Sequence, residues 1–285
     1  MRNSSFSILI FLLLTLSLWT VMDSCNSKSD EEISRAYDQK QLMIKKQDSI
    51  NQANKTDRIQ KLRENKIDTN LFTDDNIVSK LTVYGAKNPE NKIRITTMFG
   101  TIDLKLYDDT PLHRANFIYL IKHKFFDQTL FYRVIDQFMI QGGSSDRDDI
   151  TTKMSEIGYY TVPDEIQKHH IHKRGALAMA VKEQLDVPEE ERHKRSSSFN
   201  FYIVQNGPLS DNYLDGVEKR YKIDISGSRR STYRKIGGVP HLDDKFTVFG
   251  EVTKGIDIVD QIARSETVEN DRPLKEIFLS IEIIE

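Results

Sequence analysis

In the stretch FYRVIDQFMIQGG, from Phe131 to Gly143, a single arginine stands among aromatic and aliphatic residues. A guanidinium is costly to bury without partners, so Arg133 needs a use. The local pattern leaves two uses open. It pairs with a buried acid, or it serves a site as a permanently charged plane of five N–H donors. A second cluster, KHHIHKR, holds His169, His170 and His172. Clustered imidazoles bind metals. Adjacent His169 and His170 do not share one face of a strand, and no cysteine or close carboxylate set completes a site. A solvated basic loop, with no metal, is the expectation. A third candidate is Asn206 to Gly238, where Arg229, Arg230, Arg234 and Lys235 interleave with Tyr221 and Tyr233. Such patches bind nucleic acid or a protein partner.

The whole chain narrows these options. Its formal net charge is −2 over 285 residues, so overall balance implies no polyanionic partner. The apolar run from Ile8 to Met22 is 15 residues long. It is short for a membrane span, which takes about 20, and suits the core of a secretory signal. The single cysteine, Cys25, follows directly in VMDSCNSKSD. This arrangement resembles a bacterial lipoprotein signal, in which the cysteine becomes the first mature residue and carries the lipid. Residues 1–24 are then the signal and Cys25 the lipidation site. The protein is expected in the cell envelope, facing the periplasm or the cell surface, anchored without a span. Nucleic acid is no partner for such a chain, and one cysteine leaves no internal disulfide. The basic-aromatic segment reads as a solvated edge.

The chemistry must be positioned by regular elements. Residues 25–80 are charged and thinly apolar, and read as a partly helical, extended spacer. The pattern changes near Lys80, so the folded domain is placed at 81–285. KIRITTMFGTIDLKLYDD reads as two strands around a turn at Gly100. DTPLHRANFIYLIKH switches to helical period, with Thr110 at the N-cap and Pro111 at the first helical position. TLFYRVI, QFMIQGG, GALAMAV, FNFYIVQ, FTVFGEV and IFLSIEIIE are further strands, and KGIDIVDQIAR is a short helix. Short strands with two helices predict a mainly β fold, a closed eight-stranded antiparallel barrel capped by the helices. Insertions fall near 182–198 and 206–238.

The blocks GTIDLKLYDDTPLHRANFIYLIKHKFFDQTLFYRVIDQFMIQGG, GALAMA, FNFYIV and HLDDKFTVFGEV, in that order, resemble the cyclophilins. The resemblance implies the cyclophilin barrel and peptidyl-prolyl cis-trans isomerisation, with no cofactor. It implies that Arg133 is the catalytic donor and that Gln141 orients it and contacts substrate. It places Phe138, Met139, Tyr202, Leu242 and Phe246 around the proline, with Ala180, Val181 and Asn200 along the peptide. Gly142 and Gly143 would let the chain turn sharply after their strand. The implied partners are proline-containing segments of unfolded or exported proteins. The chain departs from the family pattern at Val181, where Asn is frequent, and at Asn200, where Gln is usual. His241 stands at a common Trp position, and Phe246 at a His position. A non-catalytic module that holds Pro-containing segments in the envelope is the alternative expectation.

Overall fold

The computed structural model describes residues 71–145, 149–181 and 195–285. The signal segment, Cys25 and most of the spacer lie outside the described residues. Among the described residues, no helix is long and apolar enough to cross a membrane.

Among the described residues, eleven strands and six α-helices follow in chain order. They are α1 (Ile77–Lys87), β1 (Lys92–Thr97), β2 (Gly100–Leu106), α2 (Pro111–Lys122), β3 (Thr129–Ile135), β4 (Met139–Ser144), α3 (Asp149–Ile157), β5 (Thr161–Pro163), β6 (Ala176–Val181), β7 (Arg195–Val204), α4 (Asp211–Tyr221), α5 (Gly227–Lys235), β8 (Val248–Lys254), α6 (Ile256–Ala263), β9 (Thr267–Val268), β10 (Arg272–Pro273) and β11 (Ile277–Ile283). The main sheet runs β4-β3-β11-β1-β2-β8-β6-β7-β5, and β4 also pairs with β7. That extra ladder closes eight strands into the expected barrel, and every pairing is antiparallel. Closure leaves no open edge among these eight strands.

Alternation along the strands sorts side chains into two sets. Leu177 and Met179 of β6, Ile140 of β4, and Phe201 and Ile203 of β7 belong to the main core. Their neighbours Ala176, Ala178, Met139, Tyr202 and Val204 form a separate apolar cluster. The aromatic centre of the main core is Phe117, which meets Phe126, Phe201 and Phe249 at centroid distances of 4.8, 5.4 and 5.3 Å.

Helix α2 forms as expected, but its start is secured differently. Thr110 occupies the N-cap without a side-chain capping bond. Instead the Glu165 carboxylate, 52 residues away, accepts from the Leu112 and His113 amides at 2.9 and 2.8 Å and from His113 Nδ1 at 2.7 Å. A carboxylate there satisfies orphan N–H groups and complements the helix dipole.

The structure corrects four sequence expectations. The folded unit begins at Asn70 rather than 81. Helix α1 crosses the expected spacer boundary, and Phe72, Ile77 and Leu81 are buried in the main core. The few apolar residues of α1 suffice because α2 packs against them. The 182–198 insertion ends earlier than its composition suggests: Ser196, Ser197 and Ser198 are buried within β7. Serine hydroxyls and strand amides find partners there, as His113 Nε2 does with Ser196 Oγ at 2.9 Å. Gly142 and Gly143 do not make a turn; both lie inside β4. Gly143 has φ +99°, and a Cβ there would collide with the Phe199 carbonyl. Glycine is needed for the close approach of β4 and β7. Finally, Asn206 to Gly238 is no mere solvated edge. Its helices α4 and α5 bury Leu209, Leu214, Val217, Ile225 and Tyr233 in a small core of their own.

If α1 belongs to the cooperative fold, Leu81→Ala should destabilise the protein by about 2–5 kcal/mol in urea denaturation. An unchanged midpoint would show that the helix docks independently of barrel unfolding.

Candidate active site

A pocket of ≈ 190 Å³ opens beside the closing ladder of the barrel, lined by Arg133, Phe138, Met139, Gln141, Ala180, Val181, Tyr202, Leu242 and Phe246. Nine of the ten pocket residues named from the sequence are thus brought together. Asn200 is not among the lining residues; its Oδ1 is buried without a hydrogen-bond partner, and its amide donates to Ser197 Oγ at 3.1 Å.

Two bulges aim the polar residues. The β3–β4 register pairs Phe131 with Gly142 and Arg133 with Gln141, which leaves Tyr132 as an extra residue. Phe131 and Val134 both belong to the core. Strict alternation from Phe131 would send Arg133 inward; the extra residue turns it out into the pocket. In β6 the register slips between Met179 and Val181, so consecutive Ala180 and Val181 both line the pocket.

Arg133 and Gln141 face each other across the ladder. The hydrogen bond of the guanidinium runs to a residue that the sequence did not suggest: Nε donates to Asp271 Oδ2 at 3.1 Å. Arg133 and Asp271 side chains are 41% and 43% exposed, so this is not a buried ion pair. Among the described residues, the terminal nitrogens of Arg133 donate no hydrogen bond to the protein. The Gln141 side chain lies close to the Tyr132 phenol. Burial pushes the Tyr132 phenol up to about 12, with Arg133 and Gln141 pulling the other way. Tyr132 stays neutral at physiological pH.

The apolar wall is fixed by buried polar groups. The Gln205 amide donates to Phe138 O at 2.9 Å, and its Oε1 accepts from the Gln137 amide at 2.8 Å. Its Nε2 donates to Asp260 of α6 at 2.8 Å. These bonds clamp the β3–β4 turn that carries Phe138. Opposite, His172 is fully buried, which corrects its reading as part of a solvated loop. Asp243 Oδ1 accepts from the His172 amide at 2.8 Å and lies 3.1 Å from Nδ1. A carboxylate can only accept, so Nδ1 carries the proton. Nε2 then accepts from the Tyr202 hydroxyl at 2.9 Å. Burial, then Asp243, raises the Tyr202 phenol well above its ordinary value and keeps it a donor. The second Asp243 oxygen accepts from Tyr233 Oη of α5 at 2.7 Å. Asp243 directly follows Leu242, so the chain Tyr202–His172–Asp243–Tyr233 ties the pocket to the helical insertion. The sequence signal for it was a histidine flanked by apolar residues on one side, IleHis; nothing local pointed to Asp243 or Tyr233.

Outside the pocket, His241 stacks on Tyr221 at 4.4 Å and lies parallel to Phe138 at 6.0 Å. Burial, then Lys245, holds its imidazole below the ordinary value, so the ring is neutral near pH 7.

The closed antiparallel barrel thus presents one arginine beside a largely apolar pocket. The family model described as cyclophilin type peptidyl-prolyl cis-trans isomerase/CLD matches residues 92–282. The chain belongs to this family and is a peptidyl-prolyl cis-trans isomerase of cyclophilin type. A protein of Staphylococcus saprophyticus that carries the name peptidyl-prolyl cis-trans isomerase is 31% identical over 201 residues, covering 69% of this chain and 93% of its own. A Streptococcus pyogenes protein named as a bifunctional phosphatase/peptidyl-prolyl cis-trans isomerase is 30% identical over 200 residues, covering 68% of this chain but 39% of its own. A Cryptosporidium parvum cyclophilin type isomerase, crystallised in the presence of the dipeptide Ala-Pro, is 19% identical with a TM-score of 0.47, covering 68% of this chain and 99% of its own.

The Tyr202 hydroxyl is turned to His172, so its ring face alone serves the pocket. Tyr202→Phe should lower stability by about 1–3 kcal/mol, because His172 Nε2 loses its buried partner. Isomerase kcat/KM should change only a few-fold. A large loss of activity at unchanged stability would mean that the hydroxyl reaches substrate.

Proposed function

We propose that the protein accelerates rotation about X-Pro bonds through Arg133, acting on exported proteins from a lipid anchor at Cys25. The observation that carries the mechanism is that, among the described residues, the terminal nitrogens of Arg133 donate no hydrogen bond to the protein, beside an otherwise largely apolar pocket. The barrier to rotation is amide resonance, about 18–20 kcal/mol. Resonance fades if the prolyl nitrogen withdraws its lone pair as the bond twists. The proline ring would sit against Phe138, Met139, Tyr202, Leu242 and Phe246. Arg133 would donate toward the pyramidal nitrogen, an interaction available only in the twisted state. Asp271, through Nε, would hold the guanidinium plane while leaving both terminal NH2 groups for substrate. Gln141 and the backbone of Ala180 and Val181 would align the flanking peptide. A neutral and rather apolar rim at Val181 supports clients without a required side-chain hydrogen bond there.

The anchor reading rests on the sequence around Cys25. It places the isomerase in the cell envelope, where chains arriving unfolded carry slow prolyl bonds. It is tested apart from catalysis. Mass spectrometry of the mature protein should find acyl chains on Cys25, and Cys25→Ser should release the protein from membranes; an unmodified cysteine would exclude this anchor.

For catalysis, Arg133→Ala should lower kcat/KM on short X-Pro peptides by about 10²-fold, roughly 2.7 kcal/mol, with an unchanged melting temperature. Unaltered kcat/KM would sink the donor role. No acceleration by the wild-type chain on any X-Pro peptide would instead favour a non-catalytic module that holds Pro-containing segments.

A further inference from the structure

In a strand the side chains of adjacent His169 and His170 would diverge. The structure has a turn there. The His170 amide donates to Gln167 O at 3.0 Å, and the two imidazoles lie on one side with centroids 4.2 Å apart. Between them sits a carboxylate from a different loop. Asp109 Oδ2 is 2.8 Å from His169 Nε2, and Oδ1 is 2.7 Å from His170 Nε2. One ligand atom from each of the three residues lies within 4.8 Å of the others.

We propose that Asp109, His169 and His170 form a binding site for a divalent transition-metal ion of the Zn²⁺ type. Two imidazole nitrogens and one carboxylate oxygen suit Zn²⁺, Co²⁺, Ni²⁺ or Cu²⁺, whereas Ca²⁺ and Mg²⁺ prefer oxygen ligands throughout. Metal–ligand bonds of about 2.0–2.2 Å place tetrahedral ligands roughly 3.4 Å apart. The present separations of 2.7 and 2.8 Å, each to a different Asp109 oxygen, would widen as one of those oxygens turns to the metal. His169, 66% exposed, has room to make that adjustment. The other arms are held. His170 is 15% exposed and its ring stacks on Tyr107 at 3.9 Å and 14°. The Asp109 carbonyl accepts from Gln167 Nε2 at 3.4 Å. The open side leaves solvent water to complete the coordination. On binding, the Nε2 lone pairs turn to the metal, and each neutral ring keeps its proton on Nδ1.

The ion would clip two loops that are otherwise joined by hydrogen bonds. One carries Asp109 into helix α2. The other runs from His170 to His172, which holds Tyr202 of the pocket. Its effect would be to stabilise the folded chain, independently of how Arg133 acts.

The test titrates Zn²⁺ and Co²⁺ into the metal-free full chain, with Cys25→Ser in every protein so that the thiol does not compete. One equivalent should bind in the micromolar range and raise the melting temperature, while Mg²⁺ has no effect. His169→Ala, His170→Ala and Asp109→Asn should each weaken binding at least 10-fold. His123→Ala, which removes another exposed histidine, should leave it unchanged. His169→Ala removes a mostly exposed ring, so its melting temperature in chelator should match wild type and its result cannot be ascribed to misfolding. Absence of saturable binding below millimolar metal would overturn the site. So would undiminished affinity in the His169→Ala/His170→Ala double variant.

Discussion

The β4–β7 ladder is the pairing on which the rest depends. It closes the barrel, and it sets Gln141 opposite Tyr202 and Met139 opposite Val204. Closure and site assembly are therefore one event. Without this ladder the sheet would end in two open edges, and the pocket would lose the juxtaposition of its walls. The pairing is possible because β4 carries glycine where β7 approaches most closely. At Gly143 a Cβ would meet the Phe199 carbonyl of β7, and at Gly142 it would lie 2.9 Å from Phe131 Cδ1 of β3. A glycine pair that looks like a turn in sequence is here a packing requirement.

The same strands serve two apolar regions with opposite demands. The inner set fills the barrel and needs interdigitated bulk, supplied by Phe117, Phe126, Phe201 and Phe249. The outer set must leave a space, and it uses small residues, Ala176, Ala178 and Ala180, opposite larger walls. Rigidity of those walls comes from polar groups buried behind them. Gln205 fixes the Phe138 turn, and Asp243 fixes both His172 and the segment bearing Leu242. Buried polar chains of this type are costly when incomplete, so each member constrains the others. The helical insertion contributes Tyr233 to that chain. It is thus a structural support of the pocket as well as a surface addition.

In the proposed mechanism no covalent intermediate forms, which makes placement of one cation the central problem. A guanidinium fully paired within the protein would have little left for substrate. One without any partner would wander. Arg133 lies between these limits: it makes one bond at Nε to a half-exposed Asp271, and it lines the pocket. Interactions of such exposed pairs are weak in stability terms. The value of this pair lies in orientation.

Much of this was legible in the sequence, for definable reasons. Periodicity gave the strands and helix α2, since period 2 and period 3.6 survive without tertiary information. Ordered local blocks gave the family and nine of the ten pocket residues, because FYRVI, FMIQGG and FNFYIV keep their side chains on strands. What only the tertiary structure decided rests on contacts between distant residues. Glu165 caps α2 from 52 positions away, Asp271 meets Arg133 across 138, and Asp243 meets His172 across 71. No local pattern encodes such pairs. The bulge at Tyr132 likewise decides which way Arg133 points, since one extra residue inverts the alternation that sequence reading assumes. The turn at Gln167–His170 does the same for His169 and His170. In both places the residue types were visible in the sequence, but their direction depended on backbone geometry set by the neighbouring chain.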